Sequence, residues 1–518
     1  MQQESRVKKS LLNARVNLIF YFLTLALSFF SRKIFLDCLG ADFIGLTGTL
    51  GNLMSFLNLA ESGVSAAIAV VLYAPLFEHN EHKIKEIVSV LGYLYHTIGK
   101  IILVGGIILA CFFPLIFPDT ELGQPIIYLT FASFLGSALI GYFINYKQVL
   151  LSADQRNYVV AAYSQSANIV KILLQMCLAY YTGNYVLWVV VEFVFGIIYS
   201  IILNWKIKQV YPWLVTEIKK GKALCKEYPE VMRYTKQLFV HKIGEVVYTQ
   251  VTPFLVYAFA SLQTVAYYGN YTIVTTKFTS LLWNFLGGTG ASVGNLIAEG
   301  DKTKIMKVYW ELMSIRFIFT SVVVFAMYHL LAPFIALWLG EKYIMSHAVL
   351  VLVLIAFALG IIRGVTDEFL NGFGLFKDIW APFVEATILI SVAIIGGTLW
   401  GLEGTLLGSI VSSVIIIYIW KPYYLFNKGF KIAVWAYWKE FLKYVVASAV
   451  AFYLTMKLLE IMHLQLAIYT SWVDWIIYAT ILTLIFIILL SFCLLVTTGT
   501  RNVYKRLINY LNKLYKNA

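Results

Sequence analysis

The stretch "LGADFIGLTGTLGNLMSFLNLAESGVSAAIA", residues 39–69, holds one aspartate and one glutamate in 31 positions and is otherwise apolar, small, hydroxyl or amide in character. A helix of that length rises more than the roughly 30 Å of a bilayer's hydrocarbon core. It reads as a membrane span, and the rest of the chain agrees. Of 518 residues 60% are hydrophobic, 16% aromatic and only 13% charged, about half the charged share of a soluble domain.

Hydropathy divides the chain into fourteen candidate helices, from 14–36 and 43–75 at the start to 441–461 and 475–497 at the end, with very short turns at Gly183 and Gly401. Most of the 40 Lys and Arg fall in the N-terminal segment, the even-numbered loops and the tail. The odd-numbered loops hold Arg32, Lys33, Lys342 and Lys457. Basic loops stay in the cytoplasm, so both termini are expected there. The basic start of the chain is read as flanking a retained first helix rather than a cleaved signal. The net charge of +13 is largely this topology, concentrated in a linker at 206–236 and in the tail "RNVYKRLINYLNKLYKNA". In the tail Val503, Leu507, Tyr510, Leu511 and Leu514 share a helical face among lysines, a pattern suited to an anionic leaflet. A nucleic-acid partner is not expected.

The opening stretch also has an echo. Shifted by 224 residues it sets Gly45 on Gly269, Leu57 on Leu281, Gly63 on Gly287, Ala67 on Ala291, Leu72 on Leu296 and Ala74 on Ala298. Each copy runs into a charged loop, "EHNEHKIKE" or "EGDKTKIMK". A second echo joins "YKQVLLSADQRNYVVAA" to "TDEFLNGFGLFKDIWAP". Two parallel six-helix bundles follow, an N-lobe at 1–205 and a C-lobe at 237–425, with two extra helices and a basic tail at 426–518.

The second span, the "QVLLSADQRNYVVAA" end of the fourth and the "GLEGTLLGSIVSS" turn into the twelfth resemble the polysaccharide-exporting branch of the multidrug/oligosaccharidyl-lipid/polysaccharide (MOP) exporter superfamily, the Wzx-type flippases of lipid-linked oligosaccharides. That resemblance implies an all-α, two-lobed transporter around a hydrophilic central lumen. Its cargo would be an undecaprenyl-pyrophosphate-linked oligosaccharide crossing a bacterial inner membrane for O-antigen or capsule synthesis. Polysaccharide polymerase and glycosyltransferases of the same pathway would be its partners, and no cofactor is implied. Two helices beyond the twelve-helix core match the flippases better than the drug antiporters.

Eight basic residues lie inside spans: Arg15, Lys100, Lys147, Lys171, Lys242, Lys277, Arg316 and Arg363. Charge at mid-membrane is costly, so it faces a cavity or a partner. Lys100, Lys171 and Lys277 sit near the midplane, Arg316 and Arg363 nearer the cytoplasmic side, and the other three reach an interface by snorkelling. Lys171, Lys277, Lys100, Arg316 and Arg363 are the candidate lumen cations for a pyrophosphate. Structural pairing is the competing reading. The acids available to pair with them, or to bind a coupling ion, are Glu61, Glu192 and Glu245, with Asp367 one helical turn after Arg363. Glu192 in "LWVVVEFVFG" is the most isolated, and pairing is the preferred reading for it. Arg363 and Asp367 share a helical face with Gly374, from which Glu368 points away.

Asn168, Gln165, Gln175, Gln250, Tyr248 and Asn284 have the hydrogen-bonding character sugars use, although membrane helices also use such groups to pack. The glycine pairs at 105–106, 287–288 and 396–397 are expected to mark close helix packing. His79 and His82 read as a solvated turn, and the five scattered cysteines as small hydrophobes, so no metal centre or catalytic cluster is expected. A drug or cation antiporter of the same superfamily is the alternative. A membrane polymerase or ligase ranks lower, for want of a large external loop carrying clustered acids, arginines or histidines.

Overall fold

The computed structural model describes residues 6–61, 63–118, 120–154, 156–286, 289–375, 377–462 and 467–517. Within its helices the side chains of 6–11, 13–14, 60, 237–250, 284–286, 291, 510–511 and 513–517 lie outside that description. The described residues are almost wholly helical and contain no strand. Nine of their helices are long and apolar enough to cross a membrane. Two of those, Arg15–Leu57 and Trp380–Phe430, run 43 and 51 residues. At 1.5 Å per residue each is about twice the length of a span. Both contain a non-helical turn, at Gly40 and at Trp400-Gly401, which is where hydropathy divides them. This is a polytopic all-α membrane protein, in two compact units, Met1–Ala266 and Tyr267–Ala518.

The first unit begins with α1 (Arg6–Leu57) and a single 3-10 turn, Asn58–Glu61, leading into α2 (Val64–Phe77). There follow α3 (Glu81–Cys111), α4 (Phe113–Ile116), α5 (Gln124–Phe143), α6 (Gln148–Ala153), α7 (Asn157–Thr182), α8 (Tyr185–Val210), α9 (Gly221–Glu227) and α10 (Pro229–Phe259). The Asn184 side chain caps α8 directly after left-handed Gly183, which makes the short turn between α7 and α8. Helix α7 packs on α1 and α8, and α5 on α3 and α8. The linker is not a loose tether: α9 lies on α3, and this delivers α10 to α1 and α2. Helix α10, placed in the C-lobe on sequence grounds, therefore packs within the first unit.

Helix α11 (Leu262–Leu286) carries the chain into the second unit, followed by α12 (Thr289–Glu299), α13 (Lys302–Leu339), α14 (His347–Gly372) and α15 (Trp380–Ser412). Then come α16 (Lys421–Tyr424), between π-helical turns at Ser413–Trp420 and Leu425–Phe430, α17 (Trp435–Met462), α18 (Trp472–Cys493) and α19 (Thr498–Asn517). Its core is aromatic. Trp310 stacks on both Tyr437 and Tyr444, and Phe325 on Phe486 at 3.9 Å between centroids. These rings bind α17 and α18 to α13, so the two extra helices belong to the body of the unit. The tail is docked as well: Thr498 donates from N and Oγ1 to Glu440, Ser314 and Thr500 share a 2.6 Å hydroxyl bond, and Arg506 pairs with buried Glu311 at 2.8 Å.

At Trp400-Gly401 the chain reverses, and residues 389–396 lie against 404–408. A methyl added to Gly404 would stand 1.9 Å from the Gly396 carbonyl oxygen. Gly396 of the Gly396-Gly397 pair thus marks backbone contact, with no room for a side chain. Gly404→Ala is expected to cost about 1–3 kcal/mol of stability by overpacking, read as a lower melting temperature of the purified protein.

Candidate functional site

In the first unit Lys171 and Gln175 are one turn apart on α7, and Trp188 and Glu192 one turn apart on α8. Lys171 Nζ donates to Glu192 Oε1 at 2.6 Å, and Gln175 Nε2 donates to Glu192 Oε2 at 3.0 Å and to the Trp188 carbonyl at 3.2 Å. Both carboxylate oxygens are therefore occupied. Of the two readings open for the deep lysines, Lys171 shows pairing. The expected result of Lys171→Met is a stability loss of about 1–3 kcal/mol, because Glu192 keeps its charge without its counter-ion. Adding Glu192→Leu should recover most of that loss. Melting curves of the single and double variants check both statements.

Glu61 closes the 3-10 turn between α1 and α2, where Gly63 takes a left-handed backbone. Its Oε1 accepts from the Ser65 and Tyr95 hydroxyls. The Tyr95 ring packs on that of Tyr142, whose hydroxyl donates to Asn58 Oδ1 at 3.0 Å. Among the described residues Glu61 has no basic partner. Interrupted helical backbone at membrane depth is tolerated only where protein or a polar cavity surrounds it, and a carboxylate with two hydroxyls suits a proton or small cation.

The equivalent place in the second unit follows from the 224-residue shift. Gly63 corresponds to Gly287, outside the described residues, and Ser65 to Thr289. Helix α11 is described to Leu286 and α12 from Thr289, on either side of that position. Thr289 Oγ1, like Ser65 Oγ, donates to a carboxylate, here Glu368 Oε2 at 3.1 Å.

Glu368 leads into a charged network. Arg316, 2% exposed on α13, donates from Nη2 to Glu368 Oε1 at 2.5 Å and from Nη1 to the Ile361 carbonyl at 3.0 Å, and lies over the Trp283 ring. Gly364 makes room for it, since a Cβ there would meet Nη1 at 2.2 Å. On the neighbouring face of α14, Arg363 Nε donates to Asp367 Oδ2 at 3.1 Å and its Nη1 stands 3.7 Å from Glu385 on α15. Lys421 closes the set, at 2.6 Å from Asp367 Oδ1. Three cations face three carboxylates, held by α13, α14, α15 and α16.

The structure thus brings Arg316, Arg363 and Asp367 into one network and sets Lys171 against Glu192 in the other unit. Lys100 is exposed on α3 and makes no ion pair among the described residues. Lys277 is half-buried on α11. The side chains of Glu245, Lys242, Tyr248, Gln250 and Asn284 lie outside the described residues. Gly374 does not extend the Arg363 stripe, because α14 ends at Gly372 and Gly374 has φ +66°.

Three members of the second network escaped the sequence reading. Glu385 and Lys421 lie near the ends of their spans and look like interfacial charges, and Glu368 faces away from the Arg363 stripe toward α13. The signal available was an acid or base in each of three successive spans.

The apolar spans and internal ion pairs define the class: a polytopic, all-α membrane protein with buried polar groups in each of its two compact units. No protein-family profile matches the chain, and no curated protein sequence is similar to it. Solved structures do match it in fold. The lipid II flippase MurJ in an inward closed conformation aligns with a TM-score of 0.61 at 17% identity, covering 95% of this chain and 99% of its own. An inward-facing multidrug resistance MATE family transporter of the MOP superfamily aligns with 0.59 at 14% identity, covering 79% and 97%. A MOP superfamily transporter from Pyrococcus furiosus, described as having a binding pocket of reverse polarity, aligns with 0.51 at 15% identity, covering 81% and 96%. The chain has the fold of the MOP superfamily transporters.

Proposed function

We propose that this protein is a flippase that carries an undecaprenyl-pyrophosphate-linked oligosaccharide from the cytoplasmic to the outer leaflet of a bacterial inner membrane, by alternating access, for synthesis of O-antigen or capsule-type polysaccharide. The observation that carries the reading is the extent of the fold. The match to a lipid flippase spans 95% of the chain, too much to omit most of residues 426–518, and α17 and α18 are joined to α13 by the aromatic core. The drug-transporter match spans 79%. A transporter rather than an enzyme is also what the matched structures have in common.

In this reading the charged groups act in pairs. Lys171, Arg316 and Arg363 already hold carboxylates, so a pyrophosphate would have to compete with Glu192, Glu368 and Asp367. Lys100, exposed and with no ion pair among the described residues, is the cation offered to the pyrophosphate without such competition. Polysaccharide polymerase and glycosyltransferases of the pathway would supply and consume the cargo.

A drug or cation antiporter is the second reading; Glu61, a carboxylate with hydroxyl donors and no basic partner among the described residues, suits ion coupling in either case. Disrupting the gene in its source organism separates the two. The flippase reading expects lost surface polysaccharide and accumulated lipid-linked precursor. Unchanged polysaccharide with raised dye accumulation would favour the antiporter.

A further inference from the structure

Between α17 and the end of α18 lies an open trough of about 400 Å³. Its walls are Leu442, Val446, Val450 and Val496, all exposed, and Lys439 and Lys443 stand along it at the α17 start. We propose that this trough binds an anionic phospholipid of the surrounding leaflet, with one acyl chain along Leu442, Val446 and Val450 and the phosphate between Lys439 and Lys443.

Charge selects the headgroup. Lys439 makes no ion pair among the described residues. Lys443 pairs with Glu440 at 2.7 Å, and Glu440 also accepts from Thr498. Two lysines thus face one carboxylate that is already shared, and exposed Arg501 adds positive charge at the start of α19. No acidic residue lies between 498 and 517 to offset it. Depth selects a lipid. Trp435 and Trp438 occupy the turn before Lys439, and tryptophan favours the membrane interface, which puts the lysines at headgroup level. Val450 lies eleven residues further on, about 16 Å deeper along the helix, within hydrocarbon. An apolar channel below a cationic rim is the shape and polarity of a phospholipid. The trough is lined by α17, the last residue of α18 and Val496 just beyond it, and the assignment is independent of which molecule is transported.

Cys493, which also lines the trough, reports occupancy. Full-length protein in nanodiscs of phosphatidylcholine, with or without phosphatidylglycerol of the same acyl chains, is treated with a maleimide and labelling of Cys493 is followed by peptide mass. Phosphatidylglycerol is expected to slow labelling by up to about thirtyfold, the scale of two lysines at an anionic surface. Lys439→Gln should weaken that protection and Lys439→Gln with Lys443→Gln abolish it. The single variant breaks no ion pair among the described residues, so its result stands even if the double variant folds poorly. Equal labelling in the two lipids, or protection unchanged by Lys439→Gln, would overturn the proposal. Displacement of phosphatidylglycerol by a small fraction of its concentration of undecaprenyl phosphate would also overturn it, by assigning the trough to a polyprenyl lipid.

Discussion

Arg316→Ala is expected to destabilise the protein by about 3–5 kcal/mol, the cost of breaking a buried ion pair by removing one partner. The guanidinium is buried among α13 and α14, satisfies Glu368 and the Ile361 carbonyl, and lies over Trp283. Alanine leaves Glu368 charged with only the Thr289 hydroxyl to meet it, in surroundings where water cannot take over. The double change Arg316→Met with Glu368→Leu removes both charges at similar volume and should restore most of the stability. Gly364→Ala probes the same contact from the other side, because its methyl displaces Nη1. Thermal unfolding of the purified proteins in one lipid composition is the measurement. A melting temperature unchanged in Arg316→Ala would mean that the arginine is solvated and the network is not structural.

Glu61→Gln is expected to have the opposite profile, abolishing most transport while leaving stability nearly unchanged. The amide oxygen still accepts from Tyr95 and Ser65, so no buried group is orphaned. What is lost is the charge, and hydrogen bonds to a charged group contribute about 1.5–3 kcal/mol, roughly ten- to a hundredfold in a binding equilibrium. If Glu61 holds a coupling proton or cation, transport falls by that order. Tyr95→Phe removes one donor and should fall between wild type and Glu61→Gln. Normal transport by Glu61→Gln would remove this carboxylate from the coupling step.

Much of this architecture was legible in the sequence because lipid imposes a simple requirement. A span must be long, apolar and helical, so hydropathy alone located the turns at Gly183 and Gly401 and divided the merged helices at Gly40. The 224-residue echo runs through the helix break before α2 without revealing it, since Asn58–Glu61 and Gly63 look like ordinary polar residues in a span. Pairing was less accessible. Helical periodicity showed Arg363 beside Asp367, because both lie on one helix, but it carries no information about which helices adjoin. Arg316 with Glu368, Asp367 with Lys421 and Arg363 with Glu385 are contacts between helices, and only packing produces them. The same limit applies to Lys171: pairing is the preferred reading for Glu192, but periodicity does not show that Lys171 and Gln175 are the groups that meet it across the α7–α8 hairpin.

The most direct test of the flippase account is transport itself. Purified full-length protein is reconstituted into vesicles that carry a biotinylated undecaprenyl-pyrophosphate oligosaccharide, and the fraction of headgroups reachable by avidin from outside is followed with time. Inner-leaflet headgroups should become reachable much faster than in protein-free vesicles, and Glu61→Gln should remove the gain. No acceleration by folded wild-type protein, alongside exchange of a cationic dye by the same vesicles, would contradict the account.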